Sequence, residues 1–375
     1  MIFWIETIFV AFFISALLTG VLIPQILSIA FRRKLFDNPD ARKIHRGVVP
    51  RLGGISFLPS VMCAMTLVLG WCLKFDNVHI CTILSHEHIV SSLFLMCSLL
   101  LLYLVGIADD LIGVRYRAKF VVQIICSVLI LISGIHLTNL HDILFINDVP
   151  YWLGWILTGF IVVYLLNAIN LIDGIDGLAS GLSTITLAWY GYIFIMAEQY
   201  LYAMIAWATT GSLLTFFYYN VFGKVSKRSK IFMGDTGSLT VGMVIAFLSL
   251  ALITEPLAPS IEHYDPWIIA YSPLIVPLFD VVRVYLHRKK EGRNPFLPDR
   301  SHIHHKLLDL GLSSRKALGI ILIISLFFMV VNLLLSPVMN INLILVIDIV
   351  VWTIGNVWLT AMIRKKEKRE GTTLY

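Results

Sequence analysis

The chain has 375 residues, of which 58% are hydrophobic and only 14% charged, with a formal net charge of +6. A water-soluble domain carries roughly 25% charged residues, so this composition excludes one and points to an integral membrane protein. The positive balance does not require nucleic acid, because basic loops beside anionic lipid account for it.

Apolar windows of the roughly 17 to 25 residues needed to span a bilayer recur along the whole chain. Eleven are visible, near 5–29, 54–73, 90–108, 119–137, 151–169, 178–197, 201–222, 237–254, 267–286, 317–337 and 341–363, the sixth and seventh being the least cleanly separated. The expected fold is therefore an all-α integral membrane protein of about eleven transmembrane helices. The first window is not a cleavable signal peptide: it lacks a basic leader, is too long, and is followed by Arg32, Arg33 and Lys34. That order places the N-terminus outside and the loop after it in the cytoplasm. Of the 29 Lys and Arg residues, 28 then fall on the cytoplasmic side and only Lys74 on the other. The same alternation puts the C-terminus inside. No internal repeat or linker is visible, which leaves one polytopic domain over 1–363 and a basic tail over 364–375. The five cysteines (Cys63, Cys72, Cys81, Cys97 and Cys126) show no C-x-x-C and no His at metal spacing. Most read as small apolar helix residues, and sequence alone does not establish a pair between Cys72 and Cys81.

Polar clusters interrupt this pattern at five places, all on the cytoplasmic side. K-I-H-R-G-V-V-P-R-L-G-G leads into the second window and Asp109-Asp110 closes the third. N-A-I-N-L-I-D-G-I-D-G-L-A-S-G joins the fifth to the sixth, G-D-T-G-S opens the eighth, and D-R-S-H-I-H-H follows the ninth. A carboxylate near the hydrocarbon costs about 2.5 to 3.5 kcal/mol on the insertion scale, least at the interface, so such acids are not kept for solubility. Several acids close together call for a counter-ion. Hard oxygen donors without Cys suggest Mg²⁺, which completes its shell with water and phosphate oxygens. Basic and imidazole groups nearby would face an anionic substrate. Together these make an inventory for phosphoryl transfer.

Asn167, Asn170, Asp173 and Asp176 stand three residues apart. On a regular helix each step turns about 300°, so the first and last would face opposite ways. The stretch is expected to unwind at its glycines into a turn lining a wet pocket. Each motif alone has a plainer reading: Asp235 as the N-cap of the eighth helix, Asp109-Asp110 as a helix-end acid pair, the histidines as a solvated loop. Their joint occurrence on one face is what argues for a site.

With these motifs in view, the chain resembles the polyprenyl-phosphate N-acetylhexosamine-1-phosphate transferases. The likeness runs from H-R-G-V-V-P-R-L-G-G through G-I-A-D-D, K-F-V-V-Q, the 167–181 stretch and M-G-D-T-G-S-L to P-F-L-P-D-R-S-H-I-H-H-K-L. It implies attack by a lipid-phosphate oxygen on the β-phosphorus of a UDP-sugar, with UMP leaving. It implies Asn170 and Asp235 as metal ligands for Mg²⁺, with Mn²⁺ as a substitute. Asp109 and Asp110 would handle the acceptor phosphate. Asp109 would accept its proton or, since a phosphate is already largely ionised at pH 7, position it. Asp173 and Asp176 would line the nucleotide and metal pocket. Lys119 would neutralise phosphate charge; Asn167 would line the substrate pocket. His45, Arg51, Arg300, His302, His304 and His305 would bind the diphosphate and sugar. The implied partners are a UDP-N-acetylhexosamine, undecaprenyl phosphate, the bilayer of the cytoplasmic membrane and a second copy of the chain, with no nucleic acid.

Some members of that family carry a third acid where this chain has Gly113, so a triple-carboxylate site is not expected. D-R-S-H-I-H-H looks like the GlcNAc branch rather than the muramoyl-pentapeptide branch; GalNAc or a deoxy-aminosugar would use the same apparatus. A transporter would place acids at mid-membrane and repeat itself, and a CDP-alcohol phosphotransferase would need an arginine that D-G-L-A-S-G lacks. One acid stands apart: Asp348 lies inside the eleventh window, where helix-pair hydrogen bonding and function are equal readings.

Overall fold

A computed structural model describes residues 2–35, 48–75, 86–256, 261–292 and 301–370. Among them the chain is helical, with one isolated bridge between Asn139 and Asp148 and no strand. The helices are α1 (Ile2–Arg33), α2 (Phe57–Phe75), α3 (His86–Ile112), α4 (Tyr116–Ile132), α5 (Tyr151–Ile172), α6 (Leu178–Met196) and α7 (Tyr200–Phe222). They continue with α8 (Gly234–Thr254), α9 (Pro266–Tyr271), α10 (Ile275–Lys290), α11 (Ile303–Asp309), α12 (Ser314–Leu335) and α13 (Ile341–Glu370).

Ten of the described segments are long and apolar enough to cross a membrane, counting α9 with α10 as one. This is a multi-pass membrane protein. The eleventh expected span is α4, which is 17 residues long and so about 26 Å, short of a hydrocarbon core of roughly 30 Å. Its C-terminal turn is closed at Ser133 and Gly134, the latter with φ +100°, before the expected window ends. It still runs antiparallel to both neighbours. Ser98 on α3 meets Cys126, Gln123 meets Asn167 on α5, and just beyond α4 Leu137 N–H donates to Thr158 at 2.9 Å. The sixth and seventh windows are separate helices, parted at Ala197, Glu198 and Gln199.

The bundle is built around α8. It is apolar on every side, which leaves no stripe for water or lipid, and its most apolar stretch is wholly buried. Small residues let its neighbours approach closely, as membrane helix packing requires. At Gly106 a Cβ would stand 2.4 Å from Thr236 Cα, so the end of α3 lies in backbone contact with the start of α8. The outer helices instead expose Phe13, Leu17, Leu104, Phe160, Ile323 and Ile354, an apolar surface suited to lipid.

Asp348 has its place in this scaffold. Its Oδ2 accepts from Tyr271 Oη at 2.9 Å and from Asn332 Nδ2 at 2.8 Å, tying α13 to α9 and α12 in the bundle interior.

Candidate active site

Helix ends that alternate in direction along the chain bring their polar residues to one face. The break after α5 is where the turn was expected: the helix is regular to Ile172 and Asp173 leaves it at φ −73°, ψ +59°. The Gly177 N–H donates to Asn220 Oδ1, and Asn220 Nδ2 donates to Ile231 O at 2.7 Å. One buried amide on α7 thus ties the 173–177 turn to the loop that precedes α8.

That loop is held from the other side by the segment before α2. Phe232 N–H donates to Pro50 O at 2.8 Å, and the Gly53 and Gly54 N–H groups donate to Phe232 O and Met233 O at 2.9 and 2.8 Å. Arg51 is therefore carried beside Gly234. Gly234 has φ +71°, a conformation that suits glycine, and a Cβ there would stand 2.6 Å from the Asp110 carboxylate oxygens.

Asp110 has a role that was not expected. Its Oδ1 accepts from Asp235 N–H at 2.8 Å, and its Oδ2 accepts from Thr236 N–H at 3.0 Å and Thr236 Oγ1 at 2.6 Å. It caps the first turn of α8 from a distant helix, where the orphan N–H groups and the helix dipole both favour an anion. The expectation that Asp235 is the N-cap is corrected accordingly. The N-cap position is Met233, which has no capping side chain, and Asp235 lies within the first turn with its carboxylate available for other partners.

Those partners are Lys119 and Asn170. Lys119 Nζ donates to Asp235 Oδ2 at 2.6 Å and lies 3.2 Å from Asp109 Oδ2. Asp109 Oδ1 accepts from Val114 N–H at 2.7 Å, which turns the carboxylate toward the start of α4. Asn170 lies against the Asp235 carboxylate and donates from Nδ2 to Ser238 Oγ at 2.8 Å. Asp109, Asp110 and Asp235 each offer an oxygen within 4.8 Å of the others, all partly exposed. An all-oxygen donor set of this kind fits a hard divalent cation. Asp110 is the least suited of the three to be a ligand, because both its oxygens already accept from α8.

The remaining expected residues spread along the cleft. Asp173 is exposed yet closely surrounded by protein, as on the floor of a recess. That crowding, followed by the charge of Asp235, pushes its carboxyl up to about 7, with Arg51 opposing. Asp176 pairs with Lys230 Nζ. Asn167 turns away from the acids and donates to Gln123 Oε1 at 2.8 Å. His45 and Arg300 lie outside the described residues, as does Cys81.

The histidines form a second group, organised by Asp280 on α10. This fully buried carboxylate accepts from Arg283 Nη2 at 2.7 Å, from His302 Nδ1 at 2.8 Å and from Ile303 N–H at 3.1 Å. His302 is thereby oriented from within the protein. His304 is 1% exposed, neither ring nitrogen has a hydrogen-bond partner, and its ring abuts Gly174. Burial, then the neighbouring His305 and His302, lower it to about 3, so it is neutral at working pH. His304 is enclosed, and its ring packs against the 173–177 turn at Gly174. His305 is half-buried and its ring lies 4.3 Å from that of His304. Asp280, Lys230 and Asn220 were not singled out from sequence. The one available signal was an aspartate inside an apolar window with Arg283 three residues on.

The family model described as glycosyl transferase family 4 matches residues 92–253. The undecaprenyl-phosphate alpha-N-acetylglucosaminyl 1-phosphate transferase of Salmonella typhi is 34% identical over 311 residues, 81% of this chain and 77% of that protein. The chain belongs to glycosyl transferase family 4. Proteins of the same name from Escherichia coli strain K12 and Yersinia pestis are 32% and 30% identical, over 76% and 78% of this chain and 72% and 74% of their own. The stretch matched to family 4 takes in Asp109, Lys119, Asn170, Asp173 and Asp235 and leaves the Asp280–His305 group beyond it. This chain is a membrane-embedded family 4 transferase.

Proposed function

We propose that the protein transfers GlcNAc-1-phosphate from UDP-GlcNAc to undecaprenyl phosphate at the cytoplasmic face of the membrane. An oxygen of the lipid phosphate forms a bond to the β-phosphorus, the bond from that phosphorus to the bridging oxygen breaks, and UMP leaves with the electron pair. The observation that carries the reading is the meeting of Asp109, Lys119, Asn170 and Asp235 at converging helix ends, where acids and a base lie within reach of both membrane and water. The names of the relatives and the GlcNAc-like D-R-S-H-I-H-H loop support the donor.

In this reading Asp235 and the amide oxygen of Asn170, with Asp109 beside them, hold Mg²⁺. When bound, the ion supplies charge neutralisation for the diphosphate. Asp109 positions the acceptor phosphate and takes its remaining proton if one is present. Lys119 bridges the two carboxylates, offsetting their mutual repulsion, and offers a cation to the phosphate oxygens. Asp110 holds Asp235 at the head of α8. Arg51, beside Gly234, faces the substrate's negative charge, and the apolar outer surface of the bundle admits the polyprenyl chain from the bilayer.

The test is UMP release and label transfer to lipid by purified protein with undecaprenyl phosphate, offering UDP-GlcNAc, UDP-GalNAc and UDP-MurNAc-pentapeptide separately. Transfer from UDP-GlcNAc is expected. Transfer from UDP-MurNAc-pentapeptide alone would overturn the donor assignment, and no UMP from any donor would overturn the reaction.

A further inference from the structure

The ends of α1 and α7 that lie on the site's face of the membrane enclose a groove of about 630 Å³ that the proposed reaction does not use. The two helices run parallel: Trp4 stacks on Tyr200 at 5.7 Å, Thr19 meets Ser212 at 2.7 Å, and the Arg228 guanidinium lies 5.2 Å over the Phe31 ring just past the end of α7. The groove therefore opens at the level where both helices leave the bilayer. α1 lines it with the apolar Pro24, Leu27 and Phe31 and then Arg32, while Tyr219, Arg228 and Ser229 contribute from α7 and the loop after it, with no acid among the described lining residues. Along α1 the apolar lining continues into the exposed side chains of Val21, Leu17 and Phe13.

We propose that this groove binds the headgroup of an anionic phospholipid, with its acyl chains lying on the outer face of α1. Two guanidiniums at the membrane surface match a phosphodiester in charge and in hydrogen-bonding geometry. The apolar lining running on into lipid-facing surface selects a lipid over free phosphate. Arg228 is held at φ +52° in the loop between α7 and α8. The same loop sends Lys230 to Asp176 and then delivers Asp235, so an occupied groove braces the segment that supports the transfer site.

The experiment reads lipid binding rather than turnover, so its outcome is independent of the proposed reaction. The protein is placed in nanodiscs of phosphatidylcholine with and without phosphatidylglycerol. Retained lipid is counted by native mass spectrometry and the thermal midpoint is recorded. Wild type retains phosphatidylglycerol in preference to phosphatidylcholine and is stabilised by it. Arg32→Gln with Arg228→Gln loses on the order of tenfold or more in phosphatidylglycerol affinity, from roughly fivefold per basic side chain at a membrane surface. Ser28→Trp, which fills the groove without changing charge, loses it too, whereas Lys224→Gln with Lys227→Gln, on the same loop but outside the lining, keeps it. Equal retention by the double arginine variant, an equal loss in the lysine control, or stabilisation by inorganic phosphate alone would each overturn the assignment.

Discussion

Asp110 holds Asp235 by its backbone: Asp110 Oδ1 accepts the Asp235 N–H at 2.8 Å while Oδ2 takes both donors of Thr236. The neighbouring Asp109 instead turns its carboxylate to Val114 and Lys119. Adjacent acids of the same type therefore separate into a scaffold group and a group facing the cleft.

Their variants are expected to differ in kind. Asp110→Ala removes a cap and leaves buried donors unmatched, lowering stability by about 1–3 kcal/mol along with activity. Asp109→Asn keeps wild-type stability and lowers turnover by roughly 10²–10⁴-fold, the usual scale for a lost acid–base group. Thermal inactivation midpoints and initial rates on the two purified variants separate these outcomes.

Lys119 sits where a divalent cation would compete with it, 2.6 Å from Asp235 and 3.2 Å from Asp109. Lys119→Gln is expected to lower kcat/KM by roughly 10- to 100-fold, from the worth of a charged hydrogen bond. It is also expected to tighten the apparent Mg²⁺ affinity, because a competing cation has been removed. A Mg²⁺ titration that shows weaker binding in the variant would contradict this account of the lysine.

Much of this architecture is legible in the chain, and the reasons for the rest are physical. Long apolar windows locate the helices because lipid demands satisfied backbone and apolar side chains together. The window at 119–137 overstates its helix because Ser133 and Gly134 end it, while Ile135 and Leu137 beyond them keep the window's average apolar. The motif acids were found because charge is rare in such windows. Asp235 was placed at the helix start correctly but as the cap, since its true capping group stands 125 residues earlier. Lys230 looked like a topological charge until Asp176 appeared beside it. His304 looked like a surface base because its burial depends on Gly174, on a different helix end.

The Gly174–His304 contact can be tested by filling it. A Cβ at Gly174 would meet His304 Nε2 well inside contact distance. Gly174→Ala is expected to cost about 1–3 kcal/mol through overpacking, and His304→Ala in the same chain is expected to recover part of it. A double variant no more stable than Gly174→Ala alone would remove the contact from the account. If His304 were a charged phosphate ligand, its replacement would instead raise KM for the nucleotide sugar without touching stability.

Asp173 gives a pH dependence with a defined sign. Its folded value is about 7, above the roughly 3.9 of an unfolded chain, so the folded protein binds the proton more tightly between those limits. Stability without divalent metal is therefore expected to fall as pH rises from about 4 to about 7 and to level off above that. Thermal midpoints at pH 5 and pH 8 in EDTA should differ in wild type, and Asp173→Asn should reduce that difference.

The most direct measurement is transfer of labelled GlcNAc-1-phosphate from UDP-GlcNAc to undecaprenyl phosphate, run with Mg²⁺ and with EDTA, for wild type and Asp235→Asn. Product is expected from wild type only with Mg²⁺, with a loss of roughly 10²-fold or more in Asp235→Asn at equal stability. Near-normal transfer by Asp235→Asn, or by wild type in EDTA, would contradict the claim that the meeting of Asp109, Asn170 and Asp235 is where the reaction occurs.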